Sequence, residues 1–170
     1  HMYNLEATPA EGTSHRFARA DIEKYKDIYT CGEGDSRYYT NSTQLPVNYT
    51  DDIMLTVKMQ DEVQSLYTGG TVQHFYLGER VEDPEVTKSL IKKIFSNTKM
   101  PYISITPTFS ICNTHGYITG EHFNCPTCGA ETEVYTRVTG YLRPLQNFNK
   151  GKKAEYLDRK KYVIKQEQLV

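Results

Sequence analysis

The chain has 170 residues, with 20 basic and 21 acidic side chains and a hydrophobic fraction of 38%. The chain therefore lacks the overall positive charge that is typical of a nucleic-acid-binding domain. No apolar run approaches the roughly 18 residues of a membrane span. We expect one main core and, without a signal-peptide pattern, a cytoplasmic location. His1-Met2 resembles the remnant of a cleaved tag, which places the natural beginning at or before Tyr3.

The first 70 residues carry moderate secondary-structure signals. Residues 3–7 are compatible with a strand, and residues 13–25 with a helix whose Phe17 and Ala18 face inward. A second helix is predicted to begin after Asp52 and to stop before the glycine pair at 69–70. Its apolar side consists of Ile53, Val57 and Leu66.

The middle of the chain alternates strands with a helix. Residues 71–77 and 102–106 are rich in β-branched and aromatic side chains, and a helix is predicted between them, beginning at Asp83. Its apolar face consists of Val86, Leu90, Ile91, Ile94 and Phe95. This order predicts a right-handed βαβ unit on a parallel sheet. Because so few strands leave unpaired edges, we expect another part of the protein to complete the sheet.

Three of the four cysteines cluster near residue 120, which favours a metal site over disulfides. Two residues separate Cys112 from His115, and two separate Cys125 from Cys128. Two such pairs supply four nitrogen and sulfur donors in the tetrahedral arrangement that zinc accepts, with no position open for a substrate. We therefore predict a structural zinc site. Iron is the alternative for the same donors, and His122 is a spare histidine.

The C-terminal segment is basic. Between residues 150 and 165, the basic residues are Lys150, Lys152, Lys153, Arg159, Lys160, Lys161 and Lys165, against the acidic Glu155 and Asp158. A solvated helix face is the favoured interpretation, and contact with phosphate or a partner is the alternative.

The segment Arg137-Val138-Thr139-Gly140-Tyr141 lies between the predicted metal site and the basic segment. By itself this five-residue segment is weak evidence, because a glycine in such a short pattern most often marks a turn. The segment nevertheless resembles the Arg-Val-x-Gly-Tyr motif of glycyl-radical enzymes, which store an unpaired electron on a glycine α-carbon. Glycine suits that role because an α-carbon radical prefers a planar, delocalised geometry that a side chain would crowd.

Cys128 precedes Gly140 by only twelve residues, and this combination resembles the anaerobic, class III, ribonucleotide reductases. The resemblance covers roughly residues 3–162. Its further matching segments are residues 4–11, 39–46, 67–71 and 110–112.

The resemblance implies an α/β fold, the C-terminal part of a ten-stranded α/β barrel. Residues 3–107 would supply barrel strands and helices, residues 108–135 a zinc-ribbon-like module, and residues 136–170 the glycyl-radical loop and the basic tail. In that family a separate radical-S-adenosylmethionine activase removes a hydrogen atom from the glycine. The radical then passes to a cysteine that attacks the ribose of a ribonucleotide.

Gly140 is thus the implied radical store of an oxygen-sensitive ribonucleoside-triphosphate reductase that makes deoxyribonucleotides for DNA replication. The resemblance places the family's thiyl cysteine upstream of residues 3–11, and nothing in this sequence matches its loop. Cys31 does not fill that role, because its neighbours Gly32 and Gly34 are typical of an exposed turn. We therefore expect the chain to be inactive alone and to need an upstream reductase part or subunit. It would be an engineered fragment, half of a split enzyme, or a replacement part docking on a damaged reductase.

Other polar residues have structural interpretations. Glu6 and Glu11 could contact substrate and residues 41–43 could hydrogen-bond a nucleotide, but caps or salt bridges and a turn are the favoured interpretations. His74 is expected to be hydrogen-bonded within its strand and not to bind metal. Substrate-binding residues are not assigned. A non-enzymatic alternative is a zinc-ribbon interaction module that binds nucleic acid or protein, which requires Gly140 to be an ordinary turn.

Overall fold

A computed structural model describes residues 1–7 and 10–164. Lys165 of the basic segment lies outside these residues, as do Thr8 and Pro9 and the end of the predicted 136–170 unit. The helices of the described chain are α1 Thr13–Lys24, α2 Ile53–Ser65, α3 Pro84–Asn97 and α4 Lys150–Asp158. The strands are β1 Gln73–Leu77, β2 Ile103–Pro107, β3 Phe109–Cys112, β4 Gly116–Thr119, β5 Glu133–Val138 and β6 Tyr141–Pro144. Short 3-10 helices span Gly34–Ser36 and Leu145–Asn147.

Strands β1 and β2 form a parallel pair connected through α3, which confirms the predicted strand, helix, strand order. The register pairs Gln73 with Ile103 and Leu77 with Pro107. Asp83 caps α3 by accepting a hydrogen bond from the Glu85 amide at 2.9 Å, and Pro84 opens the first turn. This start follows the usual chemistry of a helix N-terminus, where side-chain acceptors satisfy free amides and proline needs none.

The main apolar core lies between α2, α3 and one side of the parallel pair. Its buried members are Ile53, Val57, Phe75, Leu77, Leu90, Ile94 and Met100. Ile91 and Phe95 were predicted on the same inward face, but they are 37% and 43% exposed. Leu66, the residue that follows the end of α2, is also exposed. Two strands cover only a narrow strip of helix surface, so the flanks of the apolar stripe remain uncovered in the described chain.

The N-terminal predictions are partly wrong. Helix α1 forms and Ala18 is fully buried, but Phe17 is 51% exposed. Residues 3–7 form no regular strand. Instead the Leu5 carbonyl accepts hydrogen bonds from the amides of Thr68 and Gly69, at 3.1 and 2.8 Å, so this segment is tied to the loop after α2.

Four strands in the order β4-β3-β5-β6 form a separate antiparallel sheet. It joins the parallel pair at Thr108, whose amide and hydroxyl both donate to the Leu77 carbonyl at 3.1 Å. Along β5 the even-numbered residues are buried and the odd-numbered ones half-buried, so the strand presents two distinct faces. The odd face carries an aromatic stack in which Phe109 lies parallel to Tyr135, with 5.3 Å between ring centroids.

The prediction of a solvated basic face is correct for Lys150 and Lys160, which are exposed, but wrong for the inner side of helix α4. Lys152 is fully buried, and Glu155 and Arg159 are 4% and 8% exposed. Lys152 donates to Glu155 at 2.6 Å, and Arg159 lies 3.6 Å from the same carboxylate. The helix packs against β5, α1 and the first 3-10 helix, so these charges neutralise one another instead of meeting water.

None of the helices in the described part of the chain is both long enough and apolar enough to cross a lipid bilayer.

Candidate metal centre and glycine turn

The four predicted metal ligands converge at one end of the antiparallel sheet. Cys112 ends β3, His115 lies in the tight connection to β4, and Cys125 and Cys128 lie in the loop before β5. Their ligand atoms all lie within 4.8 Å of one another. His122 stands apart from this cluster, since its Nε2 is 3.1 Å from the Thr119 carbonyl.

Three of the six distances between ligand atoms match those around a tetrahedral ion, and the other three stay within 4.8 Å. The Cys112 and Cys128 sulfurs are 3.8 Å apart, and His115 Nδ1 lies 3.7 Å from Cys112 Sγ and 3.6 Å from Cys125 Sγ. Zinc bonds of about 2.3 Å to sulfur and about 2.0 Å to nitrogen, at tetrahedral angles, separate two sulfurs by about 3.8 Å and sulfur from nitrogen by about 3.5 Å. The four side chains could therefore hold zinc with no coordination position left open.

The backbone of the two ligand pairs follows one pattern. Gly116 and Gly129 come directly after the second ligand of each pair, and both have φ +73°, a left-handed conformation that glycine adopts without strain. In each pair a hydrogen bond from the backbone amide of the second ligand lowers the pKa of the first cysteine, Cys112 or Cys125. Since thiolate is the form that binds metal, the turns prepare both sulfurs for an ion.

Gly140 lies in a two-residue turn between β5 and β6. Val138 pairs with Tyr141, so Thr139 and Gly140 alone connect the strands. Their φ angles of +46° and +90° have the signs of a type I′ turn, the usual two-residue hairpin connection. Glycine fits the second position. Threonine at the first is unusual because its branched side chain disfavours positive φ, and its buried hydroxyl has no hydrogen-bond partner among the described residues.

Arg137 holds the Gly140 turn from within β5. Its Nη1 donates a hydrogen bond to the Gly140 carbonyl oxygen. Its Nε lies 3.3 Å from the Thr106 hydroxyl at the end of β2. One guanidinium thus links the glycine turn of the antiparallel sheet to the parallel pair.

A cavity of about 300 Å³ opens beside this turn. Its wall includes Gly140, Arg137 and His74, and it also includes Glu6 and Asn41, which sequence reasoning treated as structural. Both residues lie in segments that resemble the reductase family, residues 4–11 and 39–46, but these segments are irregular and meet the turn only in the folded chain.

Glu11 and Cys31 remain outside that cavity wall. Glu11 forms the kind of salt bridge that was predicted, 3.0 Å from Arg143 of β6. Cys31 forms an isolated β-bridge with Tyr38, and burial raises the pKa of its thiol, which disfavours a nucleophilic role.

His74 lies within β1 as predicted, with Nδ1 2.5 Å from the Ser104 hydroxyl. Burial, followed by the positive charges of Arg137 and Arg159, lowers its pKa to about 4. The ring is therefore neutral at pH 7, and Arg137 supplies the positive charge beside Gly140.

We expect His74 to make the protein less stable as the pH falls. The folded pKa of about 4 lies below the ordinary 6.5, so between these values the unfolded chain binds a proton that the folded chain does not. The free energy of unfolding should fall by about 3 kcal/mol from pH 7 to pH 4 through this residue. Urea unfolding at several pH values should show a smaller decline in His74→Gln. An equal decline in both proteins would contradict the prediction.

Residues 1–162 match the family model for anaerobic ribonucleoside-triphosphate reductase, and the chain belongs to that family. The curated anaerobic ribonucleoside-triphosphate reductase of Enterobacteria phage T4 is 27% identical over 176 residues, which cover 94% of this chain and 28% of the phage protein.

Solved structures agree with this assignment. A structure of an anaerobic ribonucleotide reductase matches with a TM-score of 0.73 and 25% identity, over 95% of this chain and 25% of the other. The crystal structure of the anaerobic ribonucleotide reductase from Thermotoga maritima, with MES in the active site, has the same fold, with a TM-score of 0.65 and 24% identity. That match covers 87% of this chain and 24% of the Thermotoga chain. The chain therefore spans about a quarter of the length of these relatives.

Proposed function

We propose that this chain is the radical-storing part of an oxygen-sensitive ribonucleoside-triphosphate reductase, with Gly140 as the radical site. Membership of the reductase family supports the reaction class. The observation that carries the proposal is the position of Gly140. It lies in a two-residue turn at the wall of a cavity, and its carbonyl oxygen accepts a hydrogen bond from Arg137.

In the proposed activation, a radical-S-adenosylmethionine activase supplies the oxidising radical. One electron from a reductant cleaves S-adenosylmethionine into methionine and a 5′-deoxyadenosyl radical. That radical takes one hydrogen atom, a proton with one electron, from the α-carbon of Gly140. The products are 5′-deoxyadenosine and Gly140 with one unpaired electron, which spreads over the adjoining amide groups.

We further propose that an upstream reductase part or subunit contributes the thiyl cysteine and the remaining strands of a ten-stranded barrel, where the ribonucleotide would bind. Two features support this arrangement. Within the described chain, no other regular strand pairs with β1 and β2, and the β1 edge is met by a single isolated bridge between Leu77 and Tyr162. The exposed side chains of Ile91 and Phe95 also offer apolar surface beside this parallel pair.

The proposed role of the metal centre is structural. Cys112, His115, Cys125 and Cys128 would hold zinc and so fix the long loop between β4 and β5. A salt bridge from Lys161 to Glu121 attaches that loop to the segment after α4. In this way the ion would support the sheet that ends at the Gly140 turn.

Electron paramagnetic resonance tests the radical assignment. The chain is incubated anaerobically with activase, S-adenosylmethionine, reductant and the upstream polypeptide. We expect a doublet from the single remaining α-hydrogen of Gly140, collapsing to a singlet when the protein contains α-deuterated glycine. Gly140→Ala should give no such signal. Gly34→Ala is the matched control, since Gly34 also has positive φ, +49°, and an added Cβ would meet no atom within 4 Å.

The absence of a radical in the unmodified chain, with an activase proven active on another reductase, would refute the assignment. The zinc-ribbon interaction module would then become the leading hypothesis. Burial of Lys152 and Arg159 already weakens it, because these two charges are unavailable to nucleic acid or an acidic partner.

A further inference from the structure

We propose that Arg137 stabilises the Gly140 radical electronically, by donating a charged hydrogen bond to the Gly140 carbonyl oxygen. The inference rests on the proposed function of Gly140 as radical site. Its structural basis is the contact from Arg137 Nη1 to that oxygen, with the guanidinium held from its other side by the Thr106 hydroxyl. Two attachment points fix the planar group in place.

The physical argument concerns where the unpaired electron resides. A glycine α-carbon radical lies between an amide nitrogen, which donates electron density, and a carbonyl group, which accepts it. A positive hydrogen-bond donor at the carbonyl oxygen strengthens the acceptor and draws spin density away from the α-carbon. Charge-assisted hydrogen bonds are stronger than neutral ones, and a partly buried setting strengthens them further.

The other groups at the cavity do not supply this charge. Burial and two neighbouring cations lower the pKa of His74 to about 4, so it is neutral at pH 7. Glu6 carries the opposite charge. Among the described residues of the cavity wall, Arg137 is therefore the cation available to Gly140.

The neighbouring strand provides a matched control. Arg143 of β6 belongs to the same hairpin as Arg137, but its guanidinium pairs with Glu11 at 3.0 Å. Arg143→Gln removes the same charge from the same hairpin as Arg137→Gln. Only the latter removes the charged donor to the Gly140 carbonyl.

The first test measures the doublet splitting of the radical in these variants. In Arg137→Gln, more spin remains on the α-carbon, so the splitting by the remaining α-hydrogen should increase and the radical yield should fall. Arg137→Lys, which keeps a charge, should give an intermediate splitting, and Arg143→Gln should match the unmodified protein. A purely structural role would change the yield without this graded change in splitting.

A second test uses the unmodified sequence, so that a poorly folded variant cannot obscure the answer. The protein is produced with arginine labelled by ¹⁵N in the guanidinium group, and pulsed electron–nuclear double resonance is recorded on the radical. We expect a ¹⁵N coupling to a guanidinium beside the radical, retained in Arg143→Gln. A radical without ¹⁵N coupling would overturn the role of Arg137 and leave Gly140 as the radical site. Failure to form any radical would overturn both proposals.

Discussion

Removing the metal is expected to disorder the loop between β4 and β5. Of residues 121–131, Cys125 alone is buried, so the loop has almost no apolar core of its own. A bound zinc would take the place of that core, and structural zinc sites contribute on the order of 10 kcal/mol to the folding of small modules. Chelation of the zinc-loaded protein should therefore abolish amide-exchange protection in this loop while β1 stays protected.

The matched variants for this experiment are two cysteine substitutions. Cys125→Ser should lose the metal, measured as zinc per chain, and should show the same unprotected loop without chelator. Cys31→Ser should keep its zinc, because Cys31 lies outside the four-ligand cluster. Full loop protection in the metal-free protein would contradict a structural role for the ion.

Glu155→Ala is expected to destabilise the protein by about 3–5 kcal/mol, the usual result of removing one partner from a buried ion pair. The Glu155 carboxylate accepts from Lys152 at 2.6 Å and lies 3.6 Å from Arg159, and the side chains of both cations are almost fully buried. Without it, two positive charges would remain in the interior with no neutralising partner of this kind. Urea unfolding at pH 7 measures the loss.

The chain contains its own control for this prediction. Lys88 and Glu85 of α3 have the same three-residue spacing and a distance of 3.1 Å, but their side chains are 73% and 71% exposed. Glu85→Ala should change the free energy of unfolding by less than about 0.5 kcal/mol, because water already solvates both charges. Similar losses in the two variants would show that burial does not govern the α4 pair.

Local patterns were sufficient to predict much of this structure. The apolar period of α3, its Asp83 cap and the two flanking β-rich segments predicted the βαβ unit, since these signals depend only on near neighbours. The metal ligands were equally accessible to sequence reasoning. Two-residue gaps with a turn after each pair bring both donors to one point, whatever the rest of the chain does.

The remaining features depend on contacts between distant segments. The charge pattern of α4 is the same for a solvated helix and for one whose Lys152 and Glu155 neutralise each other inside the protein. The cavity beside Gly140 joins residues from position 6 to position 140, which no local pattern could bring together. The hairpin was predicted only as a loop, on the family resemblance, and Thr139 is an uncommon residue at the first position of a two-residue hairpin turn.

The two-residue turn explains why the spacing between Arg137 and Gly140 matters as much as their identity. Side chains alternate between the two faces of a strand, so each added or deleted residue moves the arginine to the opposite face. With two residues between them, the guanidinium folds back over the turn and reaches the glycine carbonyl. The number of residues in the motif therefore sets the distance between the Arg137 guanidinium and the Gly140 carbonyl oxygen.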